Sequence, residues 1–350
     1  MNAITPDTAA ASDTLAEFGP TLYPAAMICA PGIYDDVTHD EYHSQSRLLW
    51  PALTCSIAKA LVGKTPRHAW QMHPRFGNVG MVPTAVMDDG AAMHAMMLGH
   101  AHLIEPIRAV YGPKVKDKDR IGRPVTDYKT SEAQDERDEI RGMGKIPVLA
   151  HRLPELLRCK HAAWVQLNDA EDGAVFLSPG RSEVCAVARE DDVVLQCLVD
   201  RLPDDPLAPG DLKCTELSAA PGGWERRLQR EYAFQDAFYR RVLRGAEGFE
   251  RPAMRFGVIE LEPPHGTVVM APLPELVALA EVEVDRAIQL WRHCTRSNEW
   301  PSYGPKTVWI GPTPWQITRA EDDEQINDAA IEQFVGAAAN WNAVKALRAA

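Results

Sequence analysis

The chain has 350 residues and a formal net charge of −12 at pH 7, from 37 basic and 49 acidic side chains. Hydrophobic residues make up 45% and charged residues 25%, which excludes a fibrous or wholly disordered protein. The net charge has the wrong sign for binding nucleic acid by bulk electrostatics, so any contact with DNA must be local.

The sequence also bears on the compartment. It contains no apolar run of the roughly 20 residues that span a bilayer, and no basic N-terminal segment followed by an apolar one. The seven cysteines form an odd set without a C-x-x-C pair, which argues against a disulfide framework and a zinc ribbon. We therefore expect a cytoplasmic protein with no membrane partner, whose cysteines are reduced and mostly buried.

The first third of the chain predicts an arm followed by helices. Residues 1–28 are rich in Ala, Thr, Ser and Pro without periodicity, which indicates a flexible N-terminal arm. A short extended segment is expected from Pro31, and a helix from Thr54 or Ser56 through Trp70. A second helix is predicted over 87–98 and places His94 about one turn from its start.

A charged insertion is predicted at about 114–141, where apolar residues are scarce and the chain is expected to be mobile or irregularly helical. Its first part carries more basic than acidic side chains. The basic ones are Lys114, Lys116, Lys118, Arg120, Arg123 and Lys129. These side chains either line a DNA path by neutralising phosphates or belong to a solvated loop, and both alternatives stay open.

The second half of the chain alternates strands and helices. Short β-rich runs at 183–188, 193–199 and 211–215 are separated by turn signals, and a helix is predicted over 223–243. Strands over 255–261 and 267–271 and an amphipathic helix over 273–296 follow. The order predicts one α/β domain over 29–317, with a central mixed sheet flanked by helices.

The end of the chain is predicted to form a C-terminal helical tail over 318–350, either a plain terminal helix or a docking helix. Trp309 and Trp315 precede it and flank a Gly-Pro-Thr-Pro segment. They are interpreted as core or interface packing, or alternatively as side chains that stack on bases.

Three charged side chains mark two successive predicted strands. Asp200 ends one apolar strand, and Asp211 and Lys213 begin the next after ten intervening residues. Asp211 and Lys213 stand at i and i+2, so they share one face of a strand while Leu212 points to the other. A carboxylate can then hold a metal ion while the lysine ammonium reaches the same phosphate.

Glu183, on the preceding β-rich run, can supply a third carboxylate. Oxygen ligands suit Mg²⁺ or Mn²⁺ rather than zinc, and such cations promote phosphodiester hydrolysis by activating water and neutralising charge. The lysine would polarise the water or stabilise the developing charge. The alternative is that these are ordinary strand-end acids and a surface ion pair, since a D-x₁₀-D-x-K match arises easily by chance.

The following helix carries Gln235 and Tyr239 at i and i+4, on one face. With Asp200, Asp211 and Lys213 they stand in an order that resembles RecB-type nucleases of the PD-(D/E)XK superfamily. More narrowly, the chain resembles enzymes of the exonuclease VIII (RecE) type over roughly residues 31–303. The segments that carry this narrower resemblance are 32–34 leading to Tyr42 and His43, Gly90 leading to His94, 235–239, and 299–301.

The resemblance implies a role for each motif residue and a PD-(D/E)XK core. It implies that His94, Asp200 and Asp211 ligate Mg²⁺ or Mn²⁺, and that Glu183 is an acidic partner. Lys213 would be the catalytic lysine, with Gln235 and Tyr239 orienting the lysine or the DNA backbone. Without the resemblance, His94 is a partly buried histidine beside methionines, and the Gln235 face packs on the sheet.

The activity implied by the resemblance is exonucleolytic hydrolysis of duplex DNA from its ends, 5′ to 3′, in recombination or repair. A ring-shaped homo-oligomer and a single-strand annealing protein as partner are implied with it. Val199 stands where the superfamily often has proline, and no late C-x-x-C group supports an iron–sulfur cluster, so none is expected. The alternatives are a non-catalytic DNA-binding or assembly module and a structure-specific endonuclease.

Overall fold

A computed structural model describes residues 27–77, 85–113, 115–204, 207–322, 332–333 and 335–336. The chain divides into two compact units, Met1–Ser302 and Tyr303–Ala350. The predicted N-terminal arm lies almost entirely outside the described residues, as do Lys114 and most of the predicted tail.

The strands of the first unit are β1 (Gly32–Tyr34), β2 (Ala52–Thr54), β3 (Ile104–Ile107), β4 (Ile146–Leu149), β5 (Gly180–Glu190), β6 (Val193–Pro203), β7 (Gly210–Thr215), β8 (Arg255–Glu260) and β9 (Thr267–Met270). Within the described residues, seven of them form a mixed sheet in the order β1-β5-β6-β7-β8-β9, with β2 paired to β6. The β2–β6 and β7–β8 pairs are parallel and the other pairs antiparallel. Strands β3 and β4 form a separate parallel pair.

The helices are α1 (His39–Ser44), α2 (Cys55–Gly63), α3 (Pro66–Met72), α4 (Ala85–Met97), α5 (Ser131–Gly142), α6 (Leu153–Asp169), α7 (Ala174–Leu177), α8 (Pro221–Arg227), α9 (Ala233–Glu247) and α10 (Pro274–Ser297). A single π-helical turn, Leu228–Tyr232, joins α8 to α9. The predicted mixed α/β order with a central sheet flanked by helices is confirmed.

The two longest strands explain where the centre of the sheet lies. β5 and β6 form a hairpin whose register runs from the Glu190–Val193 pair to the Gly180–Pro203 pair. Residues 184–188 and 193–197 are all buried, as expected for strands covered on both faces. The predicted β runs at 183–188 and 193–199 are confirmed and extend further than their apolar pattern indicated.

β6 changes its neighbour along one edge. Its first half pairs with β2 through Val194, Leu195 and Gln196, and its last part pairs with β7 only at Arg201. Residues 197–200 therefore border a gap between β2 and β7 along the described part of that edge. A cleft opens at this gap.

Helix α9 packs on the sheet and is anchored by one of its own buried polar side chains. Asp236 is fully buried, accepts the backbone N–H of Met254 at 2.6 Å and pairs with Arg240 at 3.1 Å. Apolar residues of the same helix, such as Phe238 and Leu243, are also fully buried in the main core. Because both polar and apolar faces of α9 are fixed, its side chains at the sheet are held in place.

Two predicted elements differ from the structure. The prediction of one helix over 54–70 is wrong, because Pro66 lacks a backbone N–H and begins a new helix, α3, after a break at Lys64 and Thr65. The region 114–141 is not free of core either. It contains most of α5, and its Val125, Ala133 and Ile140 are buried in a small cluster with Tyr111.

In the second unit, the described residues 303–322 are exposed and helical from 314 to 322. Trp309 is 89% exposed and Trp315 65% exposed. Neither is packed in a core, so stacking on bases and packing at an interface stay as predictions. No helix among the described residues of the whole chain is long and apolar enough to cross a membrane.

Gly245 is the point of close approach between α9 and β5. A Cβ atom at this position would lie 2.6 Å from Cβ of Ala188. Alanine ordinarily stabilises a helix over glycine by up to about 1 kcal/mol, but this contact cannot be relieved by a flexible side chain. We expect Gly245→Ala to lower the free energy of unfolding by about 1 to 3 kcal/mol in urea titrations.

Gly142, at the end of α5, is the matched control, since a Cβ atom there would meet no other atom within 4 Å. Gly142→Ala is expected to be neutral or slightly stabilising. Equal stability of the two variants would show that α9 does not approach β5 as closely as described.

Candidate active site

A cleft of roughly 1060 Å³, including space open to solvent, lies at the gap between β2 and β7. It gathers residues from α1, α2, α4, α9 and the central strands. The lining residues are Tyr42, His43, Gln45, Thr54, Cys55, Ser56, Ile57, Lys59, Met72, Pro74, His94, Leu198, Asp200, Asp211, Lys213, Gln235 and Tyr239. Six of the predicted site residues are thus brought together: His94, Asp200, Asp211, Lys213, Gln235 and Tyr239.

The side chain of Asp200 makes a hydrogen bond to β7 where the backbone of β6 does not pair with that strand. Beyond the single β6–β7 backbone pair, Oδ2 of Asp200 accepts the backbone N–H of Leu212 at 2.8 Å. Nε2 of His94 donates to the carbonyl of Leu212 at 2.6 Å and lies 3.6 Å from Oδ2 of Asp200. Both backbone polar groups of Leu212 are therefore satisfied by side chains of the site rather than by a neighbouring strand.

The contact of His94 assigns its ring protons in this arrangement. A carbonyl oxygen can only accept, so Nε2 carries a proton. In the neutral ring, Nδ1 is then the nitrogen with a free lone pair. A role for His94 as a metal ligand through Nε2 would require that the bond to Leu212 be given up.

Asp211 is held from two sides. It is 2% exposed, and its Oδ1 accepts a short hydrogen bond from Nε2 of Gln235 on α9. Its Oδ2 is buried and lacks a hydrogen bond of suitable geometry among the described atoms, although Nζ of Lys213 lies 2.5 Å away. The carboxylate therefore has a fixed orientation and one oxygen with unused capacity as an acceptor.

The cleft combines two carboxylates, which repel each other, with a lysine ammonium that attracts both. Burial, together with the carboxylate of Asp211, raises the pKa of Asp200 to about 6. Burial disfavours the charged form of Lys213, but the carboxylates of Asp211 and Asp200 outweigh it and raise the pKa of Lys213 above its ordinary value. Lys213 is therefore charged at neutral pH, and the two carboxylates repel each other.

Tyr239 lies one turn after Gln235 on α9 and borders the same cleft, as their i and i+4 spacing predicts. It is 9% exposed, and burial raises its pKa well above the ordinary value. The phenol is thus neutral and can serve only as a hydroxyl donor or acceptor.

Glu183 lies apart from this set. The β5–β6 register puts it opposite Asp200, but its φ of 51° interrupts the ladder between the Ser182–Arg201 and Val184–Val199 pairs. A left-handed backbone is uncommon for a residue with a side chain. Glu183 is half-buried and does not line the cleft, so its role as a third carboxylate stays a prediction.

The predicted DNA-binding segment also lies outside the cleft lining. Lys116, Lys118 and Arg123 are exposed, whereas Arg120 is tied to the phenol of Tyr111 and the hydroxyl of Thr126. Lys114 falls outside the described residues. A DNA-binding role for this segment is untested by the fold.

Sequence reasoning missed Lys59, which lines the cleft from α2. Its ammonium lies 5.9 Å from the ring centre of Tyr232, and that of Lys213 lies 5.3 Å from the same ring. The signal was the pair Ser56 and Lys59, three residues apart on a helix whose other residues are mostly apolar. Such spacing puts both polar side chains on one helix face.

The donor set fits a hard divalent cation, although no three His, Cys, Asp or Glu side chains are grouped as a complete metal site among the described residues. Mg²⁺ is usually held by one or two carboxylates, with water and substrate phosphate completing the shell. Asp200 and Asp211 supply two carboxylates, and among the described atoms Oδ2 of Asp211 is engaged by the ammonium of Lys213 alone. Glu183, the predicted further carboxylate, does not line the cleft, and its part in a metal site stays a prediction.

Comparisons with known proteins place the chain in no family. No family model matches the sequence, and no curated protein matches it. A solved structure from Eubacterium rectale, named "putative exonuclease", aligns with 80% of this chain and 97% of its own, at 10% identity and a TM-score of 0.43. A likeness at this level carries no argument about function.

The raised pKa of Asp200 predicts how stability of the metal-free protein depends on pH. Because the folded state holds this proton more tightly, stability is lost as the pH rises from about 4 to about 6. Asp200→Asn removes that loss and keeps an acceptor for Leu212. At pH 8 in EDTA we expect the variant to gain about 1 to 3 kcal/mol in free energy of unfolding, and to gain nothing at pH 3.5.

Asp192→Asn is a control of opposite sign. Hydrogen bonds and charge from Arg296 and Arg292 lower the pKa of Asp192, so its neutral replacement should destabilise the protein at pH 8. If Asp200→Asn also destabilised at pH 8, the two site carboxylates would not repel each other as the geometry indicates.

Proposed function

We propose that the chain is a divalent-metal-dependent deoxyribonuclease with a centre of the PD-(D/E)XK type. The observation that carries the proposal is the convergence of Asp200, Asp211 and Lys213 from neighbouring strands in one cleft. Gln235 from α9 and His94 from α4 meet them there. Grouping two acids and a lysine away from solvent costs stability, and such groups of charges occur most often at binding and catalytic sites.

The carboxylates of Asp200 and Asp211 are the groups that would hold Mg²⁺ or Mn²⁺. Such a cation, when bound, supplies an activated water and a counter-charge for the pentacovalent phosphate. Gln235 fixes the orientation of Asp211 by donating to Oδ1, so that Oδ2 remains directed to the side of Lys213. The ammonium of Lys213 can then donate to the attacking water or to a phosphoryl oxygen.

Tyr239 and His94 would act at the edges of the reacting phosphate. The neutral phenol of Tyr239 can donate to the DNA backbone, and His94 supports the site by holding Leu212 and lying beside Asp200. These roles are positional, because each residue would orient a neighbouring group rather than react with the phosphate.

The finer assignment is exonucleolytic hydrolysis from duplex ends, 5′ to 3′, in recombination or repair. Its support is the resemblance to enzymes of the exonuclease VIII type rather than the geometry of the cleft. A homo-oligomeric ring and an annealing protein as partner are proposed on the same ground. A cytoplasmic location is proposed instead on the odd set of seven cysteines, which indicates reduced thiols rather than a disulfide framework.

Lys213→Ala tests the enzyme directly. With Mg²⁺ or Mn²⁺, the wild-type protein should degrade linear duplex DNA, and the variant should be slower by about 100-fold or more because the developing charge loses its donor. Cleavage is followed on end-labelled duplexes by gel. Lys160→Ala, a lysine of α6 outside the cleft lining, is the matched control.

The form of DNA that is cleaved distinguishes an exonuclease from an endonuclease or a non-catalytic module. Degradation of linear but not covalently closed DNA supports an exonuclease, whereas cleavage of closed circles supports an endonuclease. Binding of DNA without any cleavage by the wild-type protein would instead indicate a non-catalytic module and would overturn the proposal.

Metal binding is expected to stabilise the fold, because a cation relieves the repulsion between Asp200 and Asp211. At ten times its dissociation constant, Mg²⁺ or Mn²⁺ adds about 1.4 kcal/mol, which raises the melting temperature by about 2 to 4 °C. Differential scanning fluorimetry measures the shift. Asp211→Asn should abolish it, and an unchanged melting temperature of the wild type at millimolar metal would contradict a formed site.

A further inference from the structure

Lys59 is a cation of the cleft that has no counter-ion. It is half-buried, lines the same space as Asp200 and Lys213, and makes no ion pair with any carboxylate in the described ranges. Its ammonium lies over the ring of Tyr232 instead. A lysine that lines the cleft without an acidic partner can bind an incoming anion.

Tyr232 connects Lys59 to the outer surface. It closes the π-helical turn, is 9% exposed, and stacks on Phe256 at 5.3 Å and on Trp224 at 5.8 Å between ring centres. The guanidinium of Arg227 in turn lies 5.1 Å from the ring centre of Trp224. A continuous row of contacts therefore leads from Lys213 and Lys59 outwards to Arg227.

The row ends at Arg227, and Arg226 and Arg230 are exposed on the same stretch of chain. None of them forms an ion pair with a carboxylate in the part of the chain that the structure describes, whereas many other arginines of the protein do. Glu225 and Glu231 lie in the same stretch, but Glu225 accepts from Gln229 instead. Exposed guanidiniums without a carboxylate partner are suited to bind phosphate.

We propose that Lys59, Arg226, Arg227 and Arg230 form a phosphate track, which guides a DNA strand over α8 and the π-helical turn into the cleft. The inference rests on the proposed function for the identity of the ligand. Lys59 would contact a phosphate next to the reacting one, and the arginines would contact phosphates farther along the strand. The track supplies the local positive charge that a chain with a net charge of −12 needs for DNA.

The π-helical turn supports the assignment independently. One-turn π insertions are rare and occur often at functional sites. Here the turn places Tyr232 under both lysines and puts Arg230 on the exposed side. By contrast, the basic residues at 116–123 are partly tied to their own loop, since Lys118 donates to the carbonyl of Pro113 and Arg120 to Tyr111.

Two triple variants with the same change in charge decide between these segments. The track variant is R226Q/R227Q/R230Q and the comparison variant is K116Q/K118Q/R123Q. Binding to a fluorescein-labelled 30-base-pair duplex is measured by anisotropy in EDTA, where cleavage is blocked, over a range of salt concentrations. Circular dichroism checks folding, and Arg286→Gln on α10, an exposed arginine that forms no ion pair within the described residues, gives the baseline for losing one surface charge.

The track variant should raise Kd by roughly tenfold or more and lower the slope of log K against log salt by about 2 to 3, one unit for each phosphate that is no longer neutralised. The comparison variant should stay within about threefold of the wild type. The proposal is overturned if the comparison variant loses as much affinity as the track variant, or if the track variant keeps wild-type affinity and slope.

Lys59→Gln tests the inner end of the track. In Mg²⁺, the variant should raise KM by about tenfold with a smaller change in kcat, because Lys59 would bind the strand rather than the reacting group. Lys59→Arg should restore KM, since it restores the charge. A loss confined to kcat, or no rescue by arginine, would place Lys59 outside the track.

Failure of this inference and failure of the proposed function give different results. Wild-type protein that cleaves DNA while the track variant binds normally refutes the track alone. Wild-type protein that neither binds nor cleaves DNA refutes the nuclease, and with it the ligand assigned to the track.

Discussion

The hydrogen bond from the backbone of Leu212 to Asp200 is the contact on which the site depends. It satisfies a strand donor with a side chain at the place where β6 has left β2 and has not yet joined β7. If a backbone carbonyl filled that position, the strands would close and the cleft would disappear. This side-chain contact brings Asp200 close to Asp211, and Lys213 offsets part of the resulting repulsion between the two carboxylates. The same contact therefore keeps the sheet edge open and holds the two acids close enough to repel each other.

Helix α9 joins the stability of the fold to the geometry of the site. Asp236 anchors the helix from within through Met254 and Arg240, while its neighbour Gln235 reaches Asp211. Since successive helix residues point in different directions, one short segment serves the core on one side and the carboxylate on the other. Gly245, a few turns later, sets how closely the helix approaches β5. The position of one amide group at Asp211 therefore depends on packing along the whole helix.

The sequence was informative where local patterns decide the outcome. The i and i+2 spacing of Asp211 and Lys213 and the i and i+4 spacing of Gln235 and Tyr239 each determine a shared face, and all four side chains border one cleft. The sequence did not indicate features that depend on contacts between distant parts of the chain. The bond from His94 to Leu212 spans 118 residues, and Lys59 enters the cleft only because α2 follows the strand that pairs with β6. Glu183 was placed from strand pattern alone, which carries no sign of its left-handed φ.

The π-helical turn at Leu228–Tyr232 sets the rotation of α8 relative to α9. Such a turn holds one residue more than an α-helical turn, so it corresponds to a single-residue insertion. Removing that residue would leave Gln235 and α9 in place but rotate everything before the turn by about 100° around the helix axis. Trp224 would leave the core side of the helix and the neighbouring arginines would face another direction. A protein of this fold without the extra residue would therefore share the cleft while presenting a different outer surface.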